Sequence, residues 1–267
     1  MHTPARSRRF LPALLFAVLL FGLAPGAVTA GQGPSTAEAR LHRLINAERS
    51  ALGLVRLPWD RRLADIAQDR SDDMVANDYF AHPPSGVMAE LLRKKNITWY
   101  RWGETLAWNT LSTATESADQ VLEQWRNSEG HWNLLMSADF NYIAIGVARN
   151  SKGRYIWTAL LLKGPDRTRP AASMNGTAQG LVASGKRAVT VKWTGNDVPL
   201  SVLTAGLKDF KLQRRVGSGT WQAVTSWTTA TSRTFELTVG TTYRFRVRSR
   251  DHNGNLSRWS AAVTVKP

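Results

Sequence analysis

The chain contains no cysteine. That excludes disulfide staples and thiol nucleophiles, so packing alone must hold the fold. Acidic residues are scarce: 20 Asp and Glu stand against 35 Lys and Arg, a net charge of +15 at pH 7. Long apolar runs are missing too. The best, Phe10 to Leu23, is interrupted by Pro12 and Gly22 and followed by Pro25, which argues against a membrane-spanning anchor. There is no His-x-x-x-His pair and no Gly-x-Ser-x-Gly string, so the local signatures of a helical zinc site and of a nucleophile elbow are absent.

What is present begins with a leader. Arg6, Arg8 and Arg9 precede the apolar run, and Val28-Thr29-Ala30 offers small residues for cleavage. This pattern predicts a secretory signal peptide over residues 1–30. Ser7-Arg8-Arg9-Phe10-Leu11 is one residue short of a twin-arginine signal, which leaves the export route open. The remaining charge is uneven. Residues 31–170 carry 18 basic against 16 acidic side chains, whereas residues 171–267 carry 14 against 4. The second half is therefore either a surface for a polyanion, such as an anionic envelope polymer or a lipid surface, with any nucleic acid binding charge-driven, or simply a soluble basic domain.

Residues 31–163 read as helices flanking a small sheet, an α+β layered domain. Ser35 with Glu38, and Thr113 with Glu116, have capping-box spacing and open two helices; Asp60 caps another. Val87 to Lys95 reads as a short helix, followed by a loop rich in tryptophan around Glu104. Tyr142 to Ala148 and Tyr155 to Leu162 read as a hairpin across Asn150-Ser151-Lys152-Gly153. Residues 164–180 are rich in Pro, Gly, Ser and Thr and read as a linker, with room for a weak first strand. From 181 to 267, short alternating runs between Gly- and Asn-rich turns predict a β-sandwich.

Three polar insertions interrupt the apolar pattern of the first domain: His82 in DYFAHPPSG, Glu104 in WYRWGETLAW, and Ser128, His131 and Asn133 in WRNSEGHWNLL. Two imidazoles and one carboxylate suit a divalent metal such as Zn²⁺ held by His82, Glu104 and His131. They equally suit a hydrogen-bonded cluster that locks helices onto a sheet. Trp102 and Trp132 flank these positions, and such aromatics stack on sugars or cover lipid chains. In the second domain, Arg244, Arg246, Arg248 and Arg250 alternate with core residues and share one sheet face about 7 Å apart. That face is either a polyanion-binding surface or a solvated, edge-protecting one. His42, expected to be exposed, and His252, in a turn, have no assigned role.

The strings NAERSALGL, LPWDRRLADIAQDRSDDM, YFAH, GETLA, WRNSEGHWNLL and YIAIGVA stand in this order between residues 46 and 148. Together they resemble the bacterial, SCP-like branch of the CAP superfamily of cysteine-rich secretory, antigen 5 and pathogenesis-related 1 proteins. The resemblance implies an α–β–α sandwich and a central cleft in which His82, Glu104 and His131 match the family's two histidines and one of its two glutamates. Ser128 stands where the second glutamate would be, and Thr105 replaces the family's asparagine after Glu104. The string TTYRFRVRSRDHNGNLSRWS is similar to the end of a fibronectin type III domain, an immunoglobulin-like sandwich. There Tyr243 would be the tyrosine corner and Trp193 the core tryptophan. The resemblances imply a secreted binding protein with a cleft for a lipid, sterol-like or glycan ligand and a basic module for surface attachment. The alternative is a metal-dependent hydrolase of an envelope polymer.

Overall fold

The computed structural model describes residues 34–267; the expected signal peptide lies outside them. Helix α1 (Thr36–Ala51) starts where expected: Ser35 N donates to Glu38 Oε2 at 2.7 Å, and the Ser35 hydroxyl accepts the Glu38 amide. Asp60 caps α2 (Arg61–Ala76), and α3 (Val87–Lys94) follows. The segment expected as a loop is strand β1 (Arg101–Asn109). Helix α4 (Ala114–Arg126) opens on the second capping box. Helix α5 (Glu129–Leu135) follows it directly. Strands β2 (Tyr142–Arg149) and β3 (Tyr155–Lys163) form the hairpin.

These three strands make one antiparallel sheet in the order β1-β3-β2. One face packs Ala144, Leu160 and Leu162 against Leu63, Ile66 and Ala67 of α2. The other packs Ile143, Ile145, Trp157 and Leu161 against Leu41 and Ile45 of α1 and Val121 and Trp125 of α4. The result is three layers, helix, sheet and helix, with β2 and β3 buried on both sides. Gly146 is needed for this: a Cβ there would lie 2.4 Å from the Ala67 backbone, so only glycine lets α2 lie so close.

The second half packs two sheets face to face. Strands β4 (Ala171–Ala183), β5 (Lys186–Asn196) and β8 (Ser232–Thr238) form one, in the order β4-β5-β8. Strands β6 (Leu207–Val216), β7 (Gln222–Ala223), β9 (Tyr243–Asp251) and β10 (Val263–Val265) form the other, in the order β10-β9-β6-β7. Val189, Val191 and Trp193 meet Phe210, Leu212, Phe245 and Val247 in one core. The Tyr243 hydroxyl accepts the Thr238 amide at 3.2 Å. Strand β4 takes up most of the expected linker. Small and polar residues and a register shift between Met174 and Gly176 hide its alternation.

The connection that remains, residues 164–170, is tied down. Asn141 brackets Gly164 with two hydrogen bonds of 2.7 and 2.9 Å, and the Tyr142 hydroxyl accepts the Arg167 amide at 2.8 Å. Leu200, in the β5–β6 loop, belongs to the α2-side apolar cluster. Asp166, Asp197 and Asp251 lie together here, and their oxygens accept hydrogen bonds from Thr168, Ala205, Val198, Gly206 and Asn255. The group is a hydrogen-bonded junction.

His42 is half-buried rather than exposed. Its Nε2 lies 2.8 Å from Leu57 O, and its ring meets Trp59 edge-on. Burial, the largest influence, holds its pKa below the ordinary imidazole value. The unfolded chain therefore binds more protons just below that value, and stability rises with pH in this window. The urea midpoint is expected to fall as pH drops from about 7 to 5.5, and to fall less in His42→Gln. A midpoint that does not change with pH in either protein contradicts this assignment.

Candidate functional site

The site grows from one strand. Along β1, Glu104 and Leu106 turn toward α2, where Leu106 packs with Met74. A carboxylate in that position must be compensated. Arg70, on the buried face of α2, supplies the partner: its Nε donates to Glu104 Oε1 at 3.0 Å. Its two terminal nitrogens donate to the Tyr79 hydroxyl at 2.8 Å and to Ala81 O at 2.7 Å. Burial works against the Arg70 charge, but Glu104 and Tyr79 together outweigh it, and the net effect holds its pKa above the ordinary value. The second carboxylate oxygen lies 2.7 Å from His82 Nδ1. Glu104 is thus shared between a buried guanidinium and an exposed imidazole.

Beside this pair, at the free edge of β1, lies a cleft of about 580 Å³. Phe80, Leu106, Trp108, Gln124, Ser128 and His131 are among its walls. Two carbonyls of the free edge are capped from α4: Trp125 Nε1 donates to Leu106 O at 3.0 Å, and Gln124 Nε2 donates to Trp108 O at 3.1 Å. These caps keep another strand from adding to β1 and leave the cleft for a side-on ligand. At the rim, the Arg154 guanidinium lies 4.2 Å from the Trp108 ring centre and 5.7 Å from that of Phe80. Its Nε is buried without a hydrogen-bond partner among the described residues. Burial first, and the nearby His82 second, hold the pKa of His131 below the ordinary imidazole value.

The structure brings together only some of the residues expected here. Ser128 and His131 line the cleft, and Glu104 and His82 form the adjoining pair. Trp102 is partly exposed on β1. Trp132 turns to the α1–α4 core and stacks with Arg126 at 5.8 Å, and Asn133 faces solvent. The reason is α5 itself: each helical residue turns by about 100°, so the neighbours of His131 leave its face. Arg70, Phe80, Gln124 and Arg154 were not anticipated. Arg70 carried a signal, because it continues the apolar face of Leu63, Ile66 and Ala67 toward Met74, where a cation requires a buried acid.

A three-ligand metal site does not fit these residues. Both Glu104 oxygens are engaged, and a fixed guanidinium 3.0 Å away already neutralises the carboxylate. Serine catalysis lacks support as well, since no hydrogen bond joins Ser128 to His131 among the described residues.

Residues 42–161 match the family described as CAP, the cysteine-rich secretory protein family. This segment is a CAP domain. Two curated relatives come from Bacillus subtilis (strain 168). The uncharacterized membrane protein YlbC is 32% identical over 117 residues, which cover 43% of this chain and 32% of the relative. The uncharacterized protein YkwD is 30% identical over 126 residues, covering 46% of each. The chain thus spans 32% and 46% of the length of these two relatives. An extracellular SCP-domain protein from Bacillus anthracis has a solved structure with TM-score 0.41 and 27% identity, covering 49% of this chain and 45% of that one. Among the described residues of this chain, no helix is long and apolar enough to cross a membrane.

The CAP domain's buried ion pair makes a stability prediction. Glu104→Ala leaves Arg70 buried and unpaired and is expected to cost about 3–5 kcal/mol in urea unfolding. His82→Ala, at an exposed position, is expected to cost less than about 1 kcal/mol. A Glu104→Ala protein as stable as the wild type contradicts this account of the site.

Proposed function

We propose that this is an exported, envelope-associated binding protein whose CAP cleft takes an amphiphile with an apolar body and an anionic head. The observation that carries the reading is the Arg154 clamp. A cation held between Phe80 and Trp108, with a buried and unpaired Nε, borders a cleft walled partly by Leu106, Trp108 and Trp125. Aromatic faces flank the guanidinium and no acid pairs with it among the described residues, which supports its terminal N–H groups as partners for a carboxylate or phosphate. The cleft volume lies in the range of small-molecule sites.

The leader pattern over residues 1–30 supports export. The seven strands in two sheets, with buried Trp193 and the Tyr243 hydroxyl bond, support a fibronectin type III-like second domain. Its excess of basic residues supports attachment to an anionic surface. The metal-dependent hydrolase is the weaker reading, because Arg70 and His82 already hold the carboxylate it would need.

The test is quenching of tryptophan fluorescence by oleate and by uncharged oleyl alcohol. Saturable oleate binding is expected in the wild type, and Arg154→Gln is expected to weaken it about tenfold, the worth of one charge-assisted hydrogen bond. Oleyl alcohol is expected to bind both proteins alike. No saturable binding of either probe, or equal oleate affinity in both proteins, overturns the proposal.

A further inference from the structure

The outer face of the β10-β9-β6-β7 sheet carries an unusual arrangement of charge. On β9 it presents Arg244, Arg246, Arg248 and Arg250, and on β6 Asp209, Lys211, Gln213 and Arg215. Two directly opposed pairs have like charge: Arg215 faces Arg244, and Lys211 faces Arg248. Opposed like charges destabilise a sheet. The acid on these two strands' outer face, Asp209, is already held by Arg250 at 3.0 and 2.6 Å.

Three tryptophans hold the cations in place. Arg246 lies 4.2 Å from the Trp221 ring centre and 4.7 Å from that of Trp259; Arg248 lies 4.7 Å from Trp259 and 5.6 Å from Trp227. Arg250 and Lys211 also meet Trp227, and Arg215 meets Trp221. Gln213 Oε1 accepts from Arg246 at 2.9 and 2.7 Å. The Nε atoms of Arg215 and Arg248 are buried and have no partner among the described residues. The stacking fixes guanidinium planes without neutralising them, so the field of this face remains positive. Burial first, then Arg215 and Arg248, depress the pKa of Arg246, as a crowd of cations should.

We infer that this face binds a base-free polyphosphodiester of the cell envelope, with Arg215, Arg244, Arg248 and Lys211 as its phosphate contacts. The inference deepens the attachment reading and rests on it. Arg215 and Arg248, whose guanidinium planes are fixed by stacking, match phosphate oxygens as planar forks, and Arg244 and Lys211 add charge beside them. Cations along the strand recur about every 7 Å, so a polymer with one charge per repeat can engage several at once. Each tryptophan ring already meets two or three cations, so nucleic acid bases and neutral sugars would have to displace a guanidinium to stack there.

The experiment uses the full chain with three soluble probes: poly(glycerol phosphate), oligothymidylate and hyaluronate of matched charge. It compares the wild type with Arg215→Gln/Arg244→Gln and with Arg93→Gln/Lys94→Gln, which removes the same charge from α3. Urea midpoints check that the variants fold, and Lys211→Gln replaces the double variant if that one does not. The expected result is preferred binding of poly(glycerol phosphate), at least tenfold weaker in the face variant and unchanged in the α3 variant. The slope of log affinity against log salt should fall by about 0.7 for each contact removed. Equal losses in both double variants, or tighter binding of oligothymidylate or hyaluronate, overturn the inference. Retention on purified envelope is measured in parallel. Retention that the face variant does not change overturns this inference and leaves attachment standing; no retention by the wild type overturns both.

Discussion

A carboxylate buried beside a strand edge fixes the shape of the CAP cleft. Glu104 is buried among apolar neighbours, where a carboxylate needs a partner, and Arg70 reaches it from α2. Arg70 then spends its other donors on Tyr79 and Ala81. Those two contacts hold the chain on either side of Phe80 and just before His82. One ion pair therefore places Phe80, which is both a cleft wall and an aromatic neighbour of Arg154, and the imidazole of His82. The fold and the candidate cleft share this interaction, and it engages both Glu104 oxygens.

Arginine recurs as the fold's polar fastener in a chain without disulfides. Arg49 is wholly buried, yet its guanidinium donates to carbonyls of Val55, Leu135 and Ser137, tying α1 to the end of α5. Burial lowers its pKa to about 10, still far enough above neutral pH to keep the charge. Arg167 pairs with Asp60 across the junction between the two halves. Elsewhere arginine is stacked on aromatic rings, at Arg154 in the cleft and at Arg246, Arg248 and Arg250 on the outer face of β9. Some of these stacked cations are also engaged, Arg250 with Asp209 and Arg246 with Gln213, whereas Arg154, Arg215 and Arg248 meet aromatic rings and no acid among the described residues.

Most elements were legible in the sequence, and particular residues explain the exceptions. Capping boxes at Ser35 and Thr113 and the apolar runs of β2 and β3 gave clear local signals. Strand β1 was hidden because Glu104 interrupts its apolar face, and only the remote Arg70 makes that tolerable. Helix α5, at seven residues, is too short for a helical period to show. That shortness also misled the reading of Trp132 and Asn133, which leave the cleft as the helix turns. Strand β4 has small and polar residues where a strand normally shows alternation. His82, Glu104, Ser128 and His131 were legible as polar interruptions and do gather near one cleft. Arg154 was not, because its meaning comes from Phe80 and Trp108, which the fold brings to it from 74 and 46 residues away.

Native mass spectrometry of the full chain, as purified and after addition of equimolar zinc, tests the central claim most directly. The account predicts a bound amphiphile that is released on denaturation and is lost in Arg154→Gln. It also predicts no stoichiometric zinc that depends on His131. One zinc ion per chain, present in the wild type and absent in His131→Ala, with no amphiphile retained, would contradict it and make the His82–Glu104–His131 cluster a metal centre.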